Sequence, residues 1–390
     1  MREYSDVVIV GAGASGLMAG ALLSREGLLV TILDKNDRAA KKLRATGNGR
    51  CNFTNLNMNP GCFFGRKDFI EEVLTENTPE DMIKQFEEFG VYAREKDGYV
   101  YPYSNQAVTV TSALIEECQG CELLLDTKAG RIVPPEADNP WYEVRTTKGI
   151  LRCHQVILAC GGSAARELGG SSDGYRLARK LGHTVTEIYP ALAPLKTKEN
   201  GWELVAGTRI QGCFSLEISG KFCQGETGEI QITKEGVSGI PVFQLSAVAV
   251  KALEEGDQVY GVIDFIPPLS FEETENWIRE HGPEGLLPVK WVEYFNRLNI
   301  PVTASLLKQY KVKIVGGMGM DRAQVSCGGV VTEEVSPAVC ESLIHKGLFF
   351  TGEILDVQGI CGGYNLHFAF SCARRAAGEI IRLSLIHISE

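Results

Sequence analysis

The sequence predicts an α/β protein whose nucleotide-binding domain, built on a parallel sheet, is interrupted by a second, β-rich domain. Three observations carry that expectation. Apolar strands run directly into glycine-rich turns at three distant places, Val7–Gly16, Val156–Gly162 and Gly347–Leu366. The hydrophobic pattern changes at about Ala191, and the strand-and-glycine style resumes at Ala323–Val331. A length of 390 residues also exceeds what one ordinary core supports. The expected division is a discontinuous domain over 1–190 and 320–383, an inserted substrate domain over 191–319, and a tail over 384–390.

Val7-Val8-Ile9-Val10 is a β-branched run short enough for a buried parallel strand, and a helix follows to about Leu23. Between them Gly11-Ala12-Gly13-Ala14-Ser15-Gly16 meets the dinucleotide fingerprint. Gly11 permits the tight turn, Gly13 lets a pyrophosphate approach the backbone, and Gly16 lets helix and strand pack closely. The positive helix end would then face phosphate. The run Leu28–Leu33 ends at Asp34, close to the spacing expected of an acid that accepts from a ribose hydroxyl. Lys35 and Ala129 are counted with the same cofactor-binding set.

Lys41–Gly65 reads as a loop rich in Gly, Asn and Arg, too long for a mere linker. Helices are expected over Asp68–Glu76 and Pro79–Phe89, the second capped by Thr78, and over Ala107–Gln119. Asp97-Gly98 marks a hairpin. Short strands near Glu122–Leu125, Arg131–Val133, Trp141–Thr146 and Ile150–Arg152 suggest an antiparallel meander, and Gln155–Ala159 returns to the parallel sheet. In the insert, strands are expected over Gly207–Ser219, Glu229–Thr233 and Gln258–Phe265. Helices are expected over Pro241–Glu254 and within Ser270–Tyr310. A last helix is expected from Leu366 to Arg382. The tail Ser384–Glu390 resembles translated adapter sequence and is expected to be dispensable.

Composition narrows the function classes. A hydrophobic fraction of 44% and a charged fraction of 23% describe a globular chain. A net charge of −10 argues against nucleic acid or an anionic membrane as partner, because neither would meet a basic field. No apolar run reaches the ~18 residues of a membrane span, and the first strand begins too early for a signal peptide, so a cytoplasmic location is expected. Twelve cysteines are then read as reduced thiols. Cys118-Gln119-Gly120-Cys121 has redox or zinc spacing but no second pair, and no metal site is expected.

The late segment separates FAD from NAD. Val156–Ala159 ends in Cys160-Gly161-Gly162, fitting a chain that passes close beneath a cofactor. Gly347–Glu353, with Asp356 after it, leads to Gly362-Gly363-Tyr364-Asn365-Leu366 and the last helix. In FAD proteins of this layout an acid after a late strand meets the ribityl or pyrophosphate region. The following helix end faces the flavin pyrimidine, where charge develops on reduction.

Several stretches together give a resemblance: Lys42–Asn55 with its core Asn48-Gly49-Arg50-Cys51, Gly161-Gly162-Ser163, Gly174-Tyr175, Gly182-His183, Gly236–Gly239, Cys327–Val330, Gly352–Asp356 and Gly363–Leu366. From about Asp6 to Ile381 the chain resembles the flavoprotein family that includes aminoacetone oxidases and the 3-dehydro-bile acid Δ4,6-reductase. The resemblance implies a glutathione-reductase-type FAD-binding domain with an inserted β-barrel and helical domain. It also implies that Asn48–Cys51 and Gly363–Leu366 line the flavin. His367, Cys372 and the run Ala45-Thr46-Gly47-Asn48 depart from the family's pattern.

The expected cofactor set is therefore Gly11, Gly13, Ala14, Ser15, Gly16, Asp34, Lys35, Asn48, Gly49, Arg50, Cys51, Ala129, Ala159, Gly161, Gly352, Glu353, Asp356, Gly363, Tyr364, Asn365 and Leu366. Tyr364, His367 and Arg50 are candidate proton donors, and no catalytic residue is assigned. With no second fingerprint on a strand, NADH or NADPH would visit the flavin as a transient donor. Three function classes stay open: reduction of a conjugated C=C in a small enone, oxidation of a small amine by oxygen, and flavin binding without turnover.

Overall fold

The computed structural model describes residues 2–199 and 201–388. It divides into two units, one of residues 1–188 with 327–390 and one of 189–326.

The first unit is organised by a mixed sheet whose parallel part runs Glu122–Leu124, Val30–Leu33, Tyr4–Val10, Gly149–Leu158, Leu348–Phe350. Val7, Val8, Ile9, Ile32, Val156, Ile157, Phe349 and Phe350 are all fully buried, as continuous apolar runs require of strands covered on both faces. The helix Ala14–Arg25 packs against the helix Tyr364–Ile388 on this sheet. Chain start and chain end therefore share one core.

Several expectations need correction. The two predicted strands Ile150–Arg152 and Gln155–Ala159 are one strand, Gly149–Leu158. Its first half pairs antiparallel with Tyr142–Thr146 and its second half parallel with Tyr4–Val10 and Leu348–Phe350. Nothing between Arg152 and Gln155 breaks the strand. Glu122–Leu124 belongs to the parallel edge rather than the meander. The loop predicted over Lys41–Gly65 opens with a helix, Lys41–Gly49, kinked where Thr46, Gly47 and Asn48 leave helical dihedrals. The last helix continues past Arg382 to Ile388, since Ser384–Ile388 holds no glycine or proline to stop it.

The expected caps are in place. Thr78 and Asp81 form a reciprocal capping box at Pro79–Glu88, and Asp97 and Gly98 both adopt positive φ between Ala93–Lys96 and Tyr99–Pro102.

The second unit closes six strands into an antiparallel barrel: Leu195–Thr197, Gly236–Ser238, Lys221–Ile232, Arg209–Ile218, Val259–Asp264 and Tyr310–Gly317. Its helices are Ile240–Glu254, Phe271–His281, Val289–Arg297 and Ala304–Lys308. Trp291 is fully buried, with Trp202, Phe265, Tyr294, Phe295 and Tyr310 around it, so this unit has its own apolar core.

Candidate functional site

The fingerprint glycines meet three different constraints. Gly11 has φ +119, and a Cβ there would sit 2.3 Å from the Ala159 carbonyl oxygen. At Gly16 it would sit 1.9 Å from the Gly11 carbonyl oxygen and 3.2 Å from the Ala159 Cβ. At Gly13 it would meet nothing within 4 Å. Packing therefore fixes Gly11 and Gly16, whereas Gly13 borders open space. Gly13 caps the helix with no side-chain hydrogen bond, and no acid stands in the first turn. The first N–H groups are thus left for a ligand.

Asp34 holds this turn from outside. One carboxylate oxygen accepts from the Ala12 N–H at 2.8 Å; the other accepts from the backbone and side-chain amides of Asn36, both at 2.8 Å. Asp34, expected as a ribose-binding acid, is here seen bracing the glycine loop. Asp34, Lys35 and Ala129 line one open-sided cleft with Cys160, Lys128 and Asp173, the last two of which sequence reasoning passed over. Burial works against ionisation of Asp173. Lys128 at 3.0 Å, Lys35 at 3.7 Å and Arg176 nevertheless hold it below the usual carboxylate range.

The late segment is brought onto the fingerprint. The Ser15 hydroxyl donates to the Thr351 carbonyl at 3.3 Å, across 336 residues. Gly352, at φ +78, could carry a Cβ only at 3.1 Å from the Ser15 Oγ. Glu353 pairs with Lys42 at 2.7 Å, tying the turn to the kinked helix. Ala159 closes the floor, its N–H donating to the Val10 carbonyl, and Gly161, at φ +66, borders open space.

Asn48, Gly49 and Cys51 all have positive φ, and the chain there turns toward Thr54–Asn55. The second segment expected to line a flavin meets the chain just after the first, at Asn52–Asn55. Gly363, at φ +93, lies so close that a Cβ would come within 2.7 Å of the Thr54 carbonyl oxygen and 2.9 Å of the Asn52 Oδ1. Asn55 donates to the Gly362 carbonyl at 2.9 Å. The Asn365 side chain both accepts from the Gly359 N–H and donates to its carbonyl, each at 2.8 Å, which fixes the start of the final helix. The first intrahelical bond there runs from His367 N–H to Gly363. Tyr364, Asn365 and Leu366 thus begin the helix with no intrahelical acceptor for their N–H groups.

Some sequence candidates do not join this cluster as proton carriers. His367 is fully buried between the Thr54 hydroxyl and the Asn77 carbonyl, each at 2.8 Å. A carbonyl only accepts, so Nε2 carries the proton and Nδ1 accepts from Thr54. Burial pushes this imidazole down to about 4, which makes it a neutral tether. Tyr364 is buried edge-on against Phe63, and burial pushes its phenol up. Cys51 is fully buried, and burial pushes its thiol up to about 12. The backbone of Asp356 follows the late turn, but its carboxyl is bonded by Thr186 and raised by burial. The Cys118–Cys121 turn packs on the first helix, with thiols directed to the Leu17 and Gly20 carbonyls. All twelve cysteines are free thiols.

Sequence reasoning missed Tyr99 and Tyr101. Their signal was local: alternation after the Asp97-Gly98 turn puts both on one face, while Val100 between them is fully buried. That Gly362 lies against this face was not legible. No helix among the described residues is long and apolar enough to cross a membrane.

These residues fit a dinucleotide. The uncapped helix end, the open approach at Gly13 and Gly161 and the cleft at Asp34 form a cradle that a Cβ at Gly13 would enter.

Comparisons with known proteins agree with this architecture. A family model described as the HI0933-like protein Rossmann domain matches residues 5–379. The chain is 34% identical to the 3-dehydro-bile acid delta(4,6)-reductase of Clostridium scindens, covering 95% of this chain and 98% of that protein. It is 29% identical to the ribosomal RNA dihydrouridine synthase of Haemophilus influenzae, covering 98% of this chain and all of that one. Among solved structures it is similar in fold to the 3-ketosteroid delta1-dehydrogenase of Sterolibacterium denitrificans. There the TM-score is 0.58 and the identity 12%, with 98% of this chain and all of that one covered.

Proposed function

Since the chain belongs to the HI0933-like Rossmann-domain family and is an FAD-dependent oxidoreductase, we propose that it reduces a C=C bond conjugated to a carbonyl in a small enone such as a 3-dehydro-bile acid, with NADH or NADPH as transient donor. The observation that carries this reading is the meeting of Gly362-Gly363, just before the final helix, with the Asn52–Asn55 turn. A helix start with free N–H groups favours negative charge beside it.

In this reading Gly13 and the first turn of Ala14–Arg25 hold the phosphates, the Asp34 cleft takes the adenosine, and Gly363–Leu366 present N–H groups to the flavin pyrimidine. When bound, FAD supplies hydride transfer. The chain's own tasks are to orient the carbonyl, exclude water and deliver one proton. The names of both relatives are compatible with this one chemistry, saturation of a C=C conjugated to a carbonyl.

A uracil ring in RNA is therefore the second reading. Charge favours the small enone: the chain carries a net −10, and residues 189–326 contain 17 Asp and Glu against 13 Lys and Arg. A nucleic-acid binder needs a basic stripe to displace counterions. The test is steady-state turnover of the flavin-loaded protein with NADH or NADPH and a 3-dehydro-bile acid enone. Nucleotide oxidation matched by saturated product, with little peroxide, is expected. Amine-dependent peroxide with no enone reduction would replace the reading by an oxidase.

A further inference from the structure

We infer that Tyr101 is the group that protonates the carbon next to the carbonyl during the proposed reduction, and that Arg50 is the positioning residue that makes it an effective acid. The inference rests on the proposed enone reduction and adds a catalytic residue to it.

The argument starts from strand register. In the small sheet Thr54–Asn55, Tyr99–Pro102, Ala93–Lys96, Tyr99 stands opposite Asn55 and Lys96, and Tyr101 opposite Arg94. Residues directly opposite share a face. Asn55, Tyr99 and Tyr101 therefore line the same face, while Val100 points into the core. The Gly362 turn lies on that face: the Asn55 side chain donates to the Gly362 carbonyl at 2.9 Å, and a Cβ on Gly362 would come within 2.9 Å of the Tyr99 ring. Tyr99 thus borders the turn before the final helix, where the account puts the flavin pyrimidine, and Tyr101 follows on the same face with Cys361 of that turn among its electrostatic neighbours.

Charge separates the two. The Arg50 guanidinium lies over the Tyr101 ring, 5.7 Å from its centre, and its Nε is held by the Gly47 carbonyl at 3.1 Å. Burial pushes both phenols up. At Tyr101 the guanidiniums of Arg50 and Arg94 oppose this, with Cys361 adding to it. Around Tyr99 stand Cys361, Tyr101 and Asp97, none of which favours a phenolate. The Cys361 thiol is itself pushed up to about 11 by burial, so it is neutral near pH 7. Tyr101 is thus the phenol whose conjugate base is supported, and Tyr99 is a wall. Arg50 is exposed and Tyr101 half-buried, so a ligand can reach them.

The step balances as follows. A bound flavin, itself reduced by a nicotinamide, would supply the hydride that adds to the β-carbon, and the C=C electron pair then forms an enolate. The Tyr101 O–H bond breaks and its proton joins the α-carbon. The phenolate left beside Arg50 recovers a proton from water. The substrate gains two electrons and two hydrogens, and the nicotinamide is oxidised.

Two measurements test this. The first is a pH titration of the holoprotein labelled with 13Cζ-tyrosine, with the Tyr101 resonance identified by its loss in Tyr101→Phe. The Arg50→Met variant is expected to move the Tyr101 midpoint up by half a pH unit or more; an unchanged midpoint overturns the role of Arg50. The second is anaerobic mixing of the pre-reduced holoprotein with the enone. Tyr101→Phe is expected to keep its FAD and its reduction rate with NADH or NADPH, and to lose at least tenfold in enone-driven reoxidation. Tyr99→Phe is expected to lose less than threefold. If wild type is reoxidised and Tyr101→Phe matches it, the assignment of Tyr101 falls alone. If no enone reoxidises wild type, the function reading falls with it.

Discussion

Gly11, Gly13 and Gly16 stand in one turn yet respond differently to substitution. A methyl at Gly16 would collide with the Gly11 carbonyl and one at Gly11 with the Ala159 carbonyl, whereas at Gly13 it enters open space. Gly13→Ala is expected to leave the thermal midpoint of the apoprotein within a few degrees while lowering FAD retention at least tenfold. Gly16→Ala is expected to impair folding itself. FAD content after gel filtration, read beside apoprotein melting, separates the two, and wild-type FAD content in Gly13→Ala would remove the phosphate from that turn. His367 gives a pH signature. Burial lowers its pKa to about 4, below the ~6.5 of an unfolded histidine. The unfolded chain then binds the proton first, so this contribution is intact above about pH 6.5 and is lost as pH falls toward 4. It amounts to up to about 3 kcal/mol. Urea midpoints from pH 8 to 4 are expected to fall less steeply for His367→Gln than for wild type, and parallel curves would contradict the neutral tether.

At the scale of elements, the start of the final helix matters most. Leu366 sits in its first turn, where proline removes a free N–H without breaking an intrahelical bond. Leu366→Pro is expected to keep FAD bound and to make the flavin harder to reduce. The loss of about 0.3–1 kcal/mol of helix-end stabilisation corresponds to roughly 5–20 mV for two electrons. A midpoint potential equal to wild type would mean that this end does not face the isoalloxazine. The other end of the same helix tolerates loss: Ile380 is buried but Leu385 is 61% exposed, so a chain ending at Leu383 is expected to stay within about 1 kcal/mol of full-length stability by urea unfolding. The helix's start was readable because Gly362-Gly363 announces a turn that only positive φ satisfies. Its continuation to Ile388 was missed because the expected helix ended at Arg382, although no residue of Ser384–Ile388 stops a helix. The strand Gly149–Leu158 was divided in the sequence reading because its halves serve different partners and so carry different periodicities. The fingerprint was legible because its demands are set within one strand-turn-helix unit. The face that Tyr99 and Tyr101 share was not, because it is brought to Gly362 by a Tyr99 contact spanning more than 250 residues, and no local pattern encodes that.

For the whole molecule, the similarity to known relatives spans nearly the full chain, so both units belong to the comparison. The relatives divide between a bile acid reductase and ribosomal RNA dihydrouridine synthases. The acidic balance of the chain is the ground on which the small enone is proposed, because phosphate contacts supply most of the affinity for RNA and need cations. The most direct measurement offers both substrates to one reduced protein. The holoprotein is reduced with dithionite without excess, kept anaerobic, and mixed in parallel with a 3-dehydro-bile acid enone and with unmodified ribosomal RNA, and flavin absorbance is followed in a stopped-flow instrument. The account predicts rapid reoxidation by the enone, with one saturated C=C per FAD, and reoxidation by RNA at least a hundredfold slower. Rapid reoxidation by RNA with an inert enone would contradict it.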